Sequence, residues 1–258
     1  MSTYPLPYAS TELTGQVALV TGATGVLGRR FALALAAAGA SVVASGRRVQ
    51  RLDEVVEEIR ASGGQAVAVV LDVTDPASIT AAVDAAEAAF GTVTILVNNA
   101  GMPDAQRAHK MSLQLIDDVL ATNLRGPYLL ATEVARRLIA AELPGKIVNI
   151  SSMGAYFYGG NGAALYSITK AAINRMTEVL AVEWARYGIN VNAIAPGSFN
   201  SEMMDGMIAR VGEFSHNFPR KRMGEAPQLD STLLYLVAPS SEFVTGTIVK
   251  VDDGQGSR

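Results

Sequence analysis

Cysteine is absent from the 258 residues, and histidine occurs only twice. Disulfides, thiolate nucleophiles and zinc–thiolate sites are therefore excluded, and His109 and His216 alone do not make a metal cage, so no metal is expected. Basic runs are also missing: 21 Lys and Arg stand against 24 Asp and Glu, for a formal net charge of -3. Such a surface offers no electrostatic footprint for nucleic acid or an anionic membrane. The alanine-rich uncharged run over residues 31–46 is interrupted by Gly39 and is shorter than the roughly 20 apolar residues that span a bilayer. The first fifteen residues lack the basic start and apolar centre of a secretory leader and hold Pro5 and Pro7 instead. These absences predict a soluble, cytoplasmic protein with a small-molecule partner, residues 1–13 forming an extended arm and 14–258 one domain.

What is present suits a large core, with 49% hydrophobic and 17% charged residues. Short β-branched runs alternate with stretches of helical periodicity, the mark of repeated βαβ units and a mainly parallel sheet. Strands are expected near 17–21, 41–45, 66–71, 95–98, 146–150, 190–193 and 247–251. Helices are expected near 27–38, 50–61, 76–90, 114–140, 164–187 and 226–237. The fold class is α/β, a single doubly wound Rossmann-like domain whose seven-stranded, mainly parallel sheet carries helices on both faces. In such sheets ligands bind beyond the carboxyl ends of the strands, so the residues just after each strand carry the chemistry.

The first strand ends in Thr21-Gly22-Ala23-Thr24-Gly25-Val26-Leu27-Gly28 and enters an alanine-rich helix. Glycine permits a tight turn and close approach to a pyrophosphate, and a helix N-terminus favours its negative charge. A glycine cluster by itself also suits any close-packed turn from strand to helix. After the second strand stand Gly46, Arg47 and Arg48, where sites for NAD commonly place an acid against the adenosine ribose. With no carboxylate there and two guanidiniums able to pair with a phosphate, NADP(H) is favoured over NAD(H). The same arginines also suit a solvated helix start.

Tyr166 and Lys170 lie four residues apart in an expected helix, so they share one face and can serve one ligand. A tyrosine of ordinary pKa, about 10, acts as a base near neutral pH only if its phenolate is stabilised by several kcal/mol. Strand five ends in Asn149-Ile150-Ser151-Ser152, and hydroxyls there suit either a ligand or a turn. Asn123 interrupts a long helical pattern in which asparagine is a poor helix former.

Together these motifs resemble the short-chain dehydrogenase/reductase family over about Thr14 to Gly254. Ordinary members carry Thr-Gly, three residues, Gly, one residue and Gly; here the middle glycine falls one place early, at Gly25, leaving Val26 in its stead. That spacing resembles the extended members of the family, while the rest of the chain resembles the ordinary short ones. The resemblance implies an NAD(P)-dependent oxidoreductase that interconverts a carbonyl and a secondary alcohol. It places Gly22, Thr24, Gly25, Val26, Leu27 and Gly28 at the pyrophosphate, Asp72 and Val73 at the adenine, and Asn99, Ala100 and Gly101 in the cofactor loop.

It further implies Tyr166 as general acid and base, Lys170 on the nicotinamide ribose, and Asn123 holding a water that contacts the lysine. Ser152 is the serine expected to bond the substrate oxygen, although it precedes Tyr166 by fourteen residues where many members have thirteen, and Ser151 competes for the role. Pro196, Gly197, Phe199 and Ser201 fall beside the nicotinamide, Ser201 replacing a more usual threonine. The substrate lid falls near 199–219, with Met203, Met204 and Met207 over an apolar ligand; Tyr156, Phe157 and Tyr158 are candidates for the facing wall. The two longest helices correspond to the family's subunit contacts, so a homotetramer or homodimer is expected. A 3-oxoacyl-thioester reductase and a catalytically silent dinucleotide-binding regulator are the alternatives.

Overall fold

In the computed structural model, which describes residues 5, 7–160 and 162–256, seven strands join in one sheet. They are β1 Val17–Thr21, β2 Ser41–Gly46, β3 Gln65–Val70, β4 Ile95–Asn98, β5 Gly145–Ile150, β6 Ile189–Pro196 and β7 Ile248–Val251. Their order is β3-β2-β1-β4-β5-β6-β7, and every neighbouring pair is parallel. The chain winds outward from β1 to β3, then crosses to the other side of β1 and winds outward again. That reversal opens a crevice beyond the carboxyl ends of β1 and β4.

Side chains alternate across the sheet with a period of two. From β1, Ala18 and Val20 enter a core with Phe31, Leu35, Leu52, Ile59, Leu233 and Leu236; Val17 and Leu19 enter a second core with Ile79, Leu130, Val134, Ile173 and Leu180. Helices α1 (Val26–Ala37), α2 (Val49–Ala61) and α8 (Asp230–Val237) therefore cover one face, and α3 (Pro76–Phe90), α5 (Gly126–Ala140) and α6 (Ala164–Trp184) the other. Every residue of β1, β4 and β6 is buried, whereas β3 exposes Gln65, Ala68 and Val70 along the sheet edge. Apolar alternation thus survives only where one face meets water.

The single helix expected over 114–140 is three pieces. A short α4 (Leu113–Leu120) runs into a π-turn at Ala121–Arg125 and then into α5. Pro127 has no N–H to continue the helical ladder, and Gly126 packs against the Val73 carbonyl so closely that a Cβ would sit 2.5 Å from it. Likewise the helix expected over 226–237 begins as a 3-10 turn, Ala226–Leu229, before α8. A further helix, α7 (Glu202–Val211), occupies the expected lid, and none of its ten residues is buried.

Leu13, the last residue of the expected arm, is fully buried in the first core and donates its N–H to the Ala38 carbonyl. Ser10 exchanges hydrogen bonds with the Ser240 hydroxyl, so the arm is docked there; residues 1–4 and 6 lie outside the described residues.

Gly28 is required by packing: a Cβ there would lie 2.2 Å from the Gly22 carbonyl oxygen and 2.5 Å from the Asn99 amide nitrogen. Gly28→Ala is expected to cost about 1–3 kcal/mol of unfolding free energy through overpacking. Gly206→Ala, with nothing within 4 Å of the added carbon on α7, is expected to gain up to about 1 kcal/mol from helix propensity. Urea unfolding of both variants checks the opposite signs.

Candidate active site

The crevice floor is a clamp between the ends of β1 and β4. Thr21 Oγ1 accepts from the N–H groups of Asn99 and Ala100, both at 2.9 Å, and the Asn99 side-chain amide donates to the Thr21 carbonyl at 2.9 Å. These bonds fix the turn in which Gly22 adopts φ +64, a left-handed conformation suited to glycine. Beyond it α1 starts at Val26 with Gly25 as N-cap, no capping side chain and no acidic residue in its first turn. A helix end with that composition fits the pyrophosphate of a dinucleotide. Val26 is 42% exposed, so the side chain that replaces the usual glycine points away from the packed turn.

Arg48 lies over the phosphate loop: its Nε donates to Thr24 Oγ1 at 3.0 Å. Arg48 and Arg51 also pair with Glu202 at 3.5 and 2.8 Å, so the first residue of α7 reaches across the cleft mouth to the start of α2. Arg47 lies near Asp72, whose carboxyl is held below the usual carboxylate range by hydrogen bonds from the Thr74 N–H and hydroxyl, with Arg47 adding to the effect. Val73 packs against Gly126, with its side chain in the second core. Glu202 and Arg51 carry no motif of their own, and only the fold brings them to the arginine pair.

The proton-transfer candidates converge at the start of α6. The Ser152 hydroxyl and the Tyr166 ring meet over Gly154, where a Cβ would lie 3.3 Å from Ser152 Oγ and 3.6 Å from Tyr166 Cε1. Ser151, the competing serine, is buried with its hydroxyl 3.2 Å from the Lys170 carbonyl and 2.5 Å from Asn174 Oδ1. Burial pushes the Tyr166 pKa up, the Ser152 hydroxyl pulls it down, and the charge of Asp104 raises it. Lys170 is buried, and desolvation lowers its pKa to about 8. Its ammonium stands 5.6 Å from the Tyr166 ring centroid and donates to the Ile150 carbonyl at 2.7 Å. The lysine is thus tethered to the end of β5, one turn behind the tyrosine.

Asn123 sits in the π-turn, a widened turn common at functional sites. Its side chain accepts from the Met102 N–H and donates to the Met102 carbonyl, both at 2.8 Å, gripping the loop after β4. A Cβ on Gly101 would lie 3.5 Å from Asn123 Oδ1 and 3.8 Å from Lys170 Nζ, so the asparagine and lysine flank one glycine. Asp104, from the same loop, was not among the residues that the sequence singled out. It reaches the first turn of α6, where its Oδ2 accepts from Leu165 N at 2.9 Å and Tyr166 N at 3.1 Å.

Several expected ligand contacts have packing roles. A Cβ on Gly197 would lie 2.9 Å from the Asp252 Cα, and the Phe199 ring is buried in the first core against Gly224. Ser201 caps α7 by accepting from Met204 N at 3.3 Å. Tyr156, Phe157 and Tyr158, the candidates for the facing wall, follow the 3-10 turn Met153–Ala155. All three are exposed, and with Ile168 and Ala171 they line a hollow on the outer side of α6. Lys250 Nζ stands 4.0 Å over the Tyr156 ring and holds it at the sheet edge. Met203 is exposed on α7, and Met204 and Met207 are half-buried.

Comparison with known proteins agrees with this arrangement. The short chain dehydrogenase family profile matches residues 16–211. The chain is 36% identical over 246 residues to 2-dehydro-3-deoxy-D-gluconate 5-dehydrogenase of Dickeya dadantii, covering 94% of this chain and 96% of that protein. It is 35% identical over 247 residues to a 3-oxoacyl-acyl-carrier-protein reductase of Synechocystis, covering 95% and 98%. A structure of gluconate 5-dehydrogenase from Burkholderia cenocepacia, in complex with NADP and tartrate, aligns with TM-score 0.90 at 32% identity over 96% of this chain and 98% of that one. The chain belongs to the short-chain dehydrogenase family. It is a nicotinamide-dependent oxidoreductase that interconverts a carbonyl and an alcohol.

Lys170 titrates near 8 when folded and near 10.5 when unfolded. Above 10.5 it is neutral in both states; as the pH falls toward 8 the unfolded chain takes up the proton first, so stability declines and then levels off. Lys170→Met is therefore expected to gain about 3 kcal/mol relative to the wild type on going from pH 11 to pH 7. Urea unfolding at the two pH values measures the change, and a constant difference would contradict it.

Proposed function

We propose that the chain is an NADP(H)-preferring dehydrogenase of small hydroxy acids of the aldonate type, with Tyr166 transferring the proton. The observation that carries this reading is the meeting of the Ser152 hydroxyl and the Tyr166 ring over Gly154, with Lys170 tethered one turn behind. Ser152 holds the substrate oxygen, and Tyr166 takes the alcohol proton during oxidation or returns it during reduction. The Lys170 ammonium, fixed on the Ile150 carbonyl, supplies a positive charge near the phenolate and a donor for the cofactor ribose. Asn123 keeps Met102, and with it the loop after β4, against the lysine. When bound, the nicotinamide donates or accepts the hydride.

The turn from Gly22 to Gly28 would hold the pyrophosphate, Asp72 and Val73 the adenine, and Asn99 to Gly101 the adjoining ribose. Pro196, Gly197, Phe199 and Ser201 would border the nicotinamide, and α7, with Met203, Met204 and Met207, would cover the substrate. The substrate class rests on the sugar-acid dehydrogenases among the relatives, one bound to tartrate. The 3-oxoacyl-thioester reading is favoured by the Synechocystis relative. A regulator without chemistry would not need the Ser152–Tyr166 pair. A second copy of the chain fits the apolar face made by Tyr128 on α5 and Ile168, Val179 and Val182 on α6, the last 80% exposed, as a homodimer or homotetramer. Among the described residues no helix is long and apolar enough to cross a membrane, in keeping with a cytoplasmic enzyme.

Purified protein assayed with NADP and NAD on gluconate and 2-dehydro-3-deoxygluconate, and with NADPH and NADH on a 3-oxoacyl thioester, decides the substrate class. Tyr166→Phe is expected to bind cofactor as the wild type does and to lose at least about a hundredfold in turnover. Wild-type turnover in that variant would overturn the mechanism.

For cofactor choice, Arg47→Ala and Arg48→Ala are expected to weaken NADPH by roughly ten- to a hundredfold, the worth of a charge-assisted phosphate bond, with a much smaller effect on NADH. Glu202→Gln, which frees Arg48 and Arg51 of their counter-ion, is expected to shift preference further toward NADPH. Fluorescence titration with both cofactors tests the pair, and equal losses for both would remove the arginines from phosphate recognition.

A further inference from the structure

We propose that Asp104 is a positioning residue for Tyr166: a buried carboxylate from the loop after β4 that caps the helix carrying the tyrosine and sets its orientation. Ala163, the N-cap of α6, has no side chain able to cap. The first-turn N–H groups would otherwise lack an acceptor, a recurrent cost of helix termini. Asp104 supplies it from 61 and 62 residues away, its Oδ2 accepting from Leu165 and Tyr166 at once. The carboxylate is 2% exposed, and its other oxygen accepts from Ala105 N at 2.9 Å. A negative charge at a helix N-terminus also complements the helix dipole.

The loop pays for this reach with strain, since Ala105 adopts φ +50, a left-handed conformation that costs a β-carbon-bearing residue about 1 kcal/mol or more. It is held at both ends. Asn123 grips Met102 at one, and Gln106 forms a β-bridge with Ala163 at the other, where Gly162 turns with φ +74. Residues 102–106 therefore form a brace between the π-turn and the start of α6, and Tyr166 takes its place from that brace. One end bears Asn123 and the other Asp104, so the two act on the tyrosine through one segment.

The groups facing Tyr166 are Lys170 on its own helix, Ser152 after β5 and Asp104 after β4. Of these only Asp104 is anionic, and its charge opposes the phenolate. It therefore keeps the hydroxyl protonated, the form needed to donate to a developing alkoxide, and moves phenolate formation to higher pH. Removing the charge without removing the acceptor separates the two effects.

This assignment rests on the role of Tyr166 proposed above, and the test carries Tyr166→Phe alongside. Each variant is assayed for oxidation of the alcohol that the wild type turns over best, across pH. Asp104→Ala is expected to lose about ten- to a hundredfold in kcat, as a displaced catalytic group does, with cofactor affinity within about twofold of wild type. Asp104→Asn keeps an acceptor for α6 and is expected to retain most of kcat while the acidic limb of its pH profile moves to lower pH. An unmoved limb in Asp104→Asn, or wild-type turnover in Asp104→Ala, overturns the assignment; if Asp104→Ala does not fold, the limb of Asp104→Asn decides alone. Wild-type turnover in Tyr166→Phe would instead sink the underlying mechanism. An inactive Tyr166→Phe beside wild-type behaviour in both Asp104 variants would sink this proposal only.

Discussion

The hydroxyl of Thr21 is the point on which the cleft depends. At the end of β1 the sheet stops pairing β1 with β4, because the chain leaves one strand toward α1 and the other toward the loop that carries Asp104. Backbone groups at such a parting lose their ladder partners, and buried ones must find others. Thr21 Oγ1 accepts two of them and the Asn99 amide returns to the Thr21 carbonyl. The parting is therefore rigid without being closed. A second polar chain runs behind it, from Asn98 to Asn149 at 2.9 Å and from Asn149 to Thr177 at 2.9 Å, which ties β4 and β5 to α6. No buried side-chain nitrogen or oxygen among the described residues lacks a partner, so the site is fixed by a satisfied network as well as by packing.

On that frame α6 buries a phenol and an ammonium within one turn. Each prefers its neutral form when desolvated, which moves the tyrosine pKa up from its ordinary value and the lysine pKa down to about 8. Burial thus brings the lysine toward neutrality and carries the tyrosine away from it, so proton transfer by Tyr166 depends on stabilisation of its phenolate. Asp104 and the Ser152 hydroxyl then act in opposite senses on the tyrosine, one raising and one lowering its pKa. The acid–base behaviour is a property of four residues from three segments, and the spacing of two of them is the only part written along a single helix.

That division explains what the sequence disclosed. Strands buried on both faces are continuous apolar runs and were located to within a few residues, and the four-residue spacing of Tyr166 and Lys170 is a local fact that folding does not alter. Asn123 marked an interruption of the helical pattern, but the form of the break, a π-turn beside the contact of Gly126 with Val73, is a long-range packing fact. Asp104 was invisible for a related reason. A capping residue is sought just before its helix, and here the cap comes from another loop while Ala163 holds the local position. Glu202 meets Arg48 and Arg51 only because α7 lies across the cleft mouth.

The glycine loop shows the same distinction within eight residues. Gly22 is held in a left-handed conformation and Gly28 touches the Gly22 carbonyl, so both are demanded by the protein's own backbone. Gly25 is not: its φ of -86 is open to other residues, and a Cβ there would meet only the Gly22 oxygen, at 3.6 Å. The middle glycine of the pattern is thus not required by packing, and its register is free to move while the two packed glycines are not. Val26 can stand where a glycine is usual because it begins α1 with its side chain partly in solvent. The shift from one spacing to the other is therefore made without disturbing the clamp of Thr21 and Asn99 that holds the loop in place.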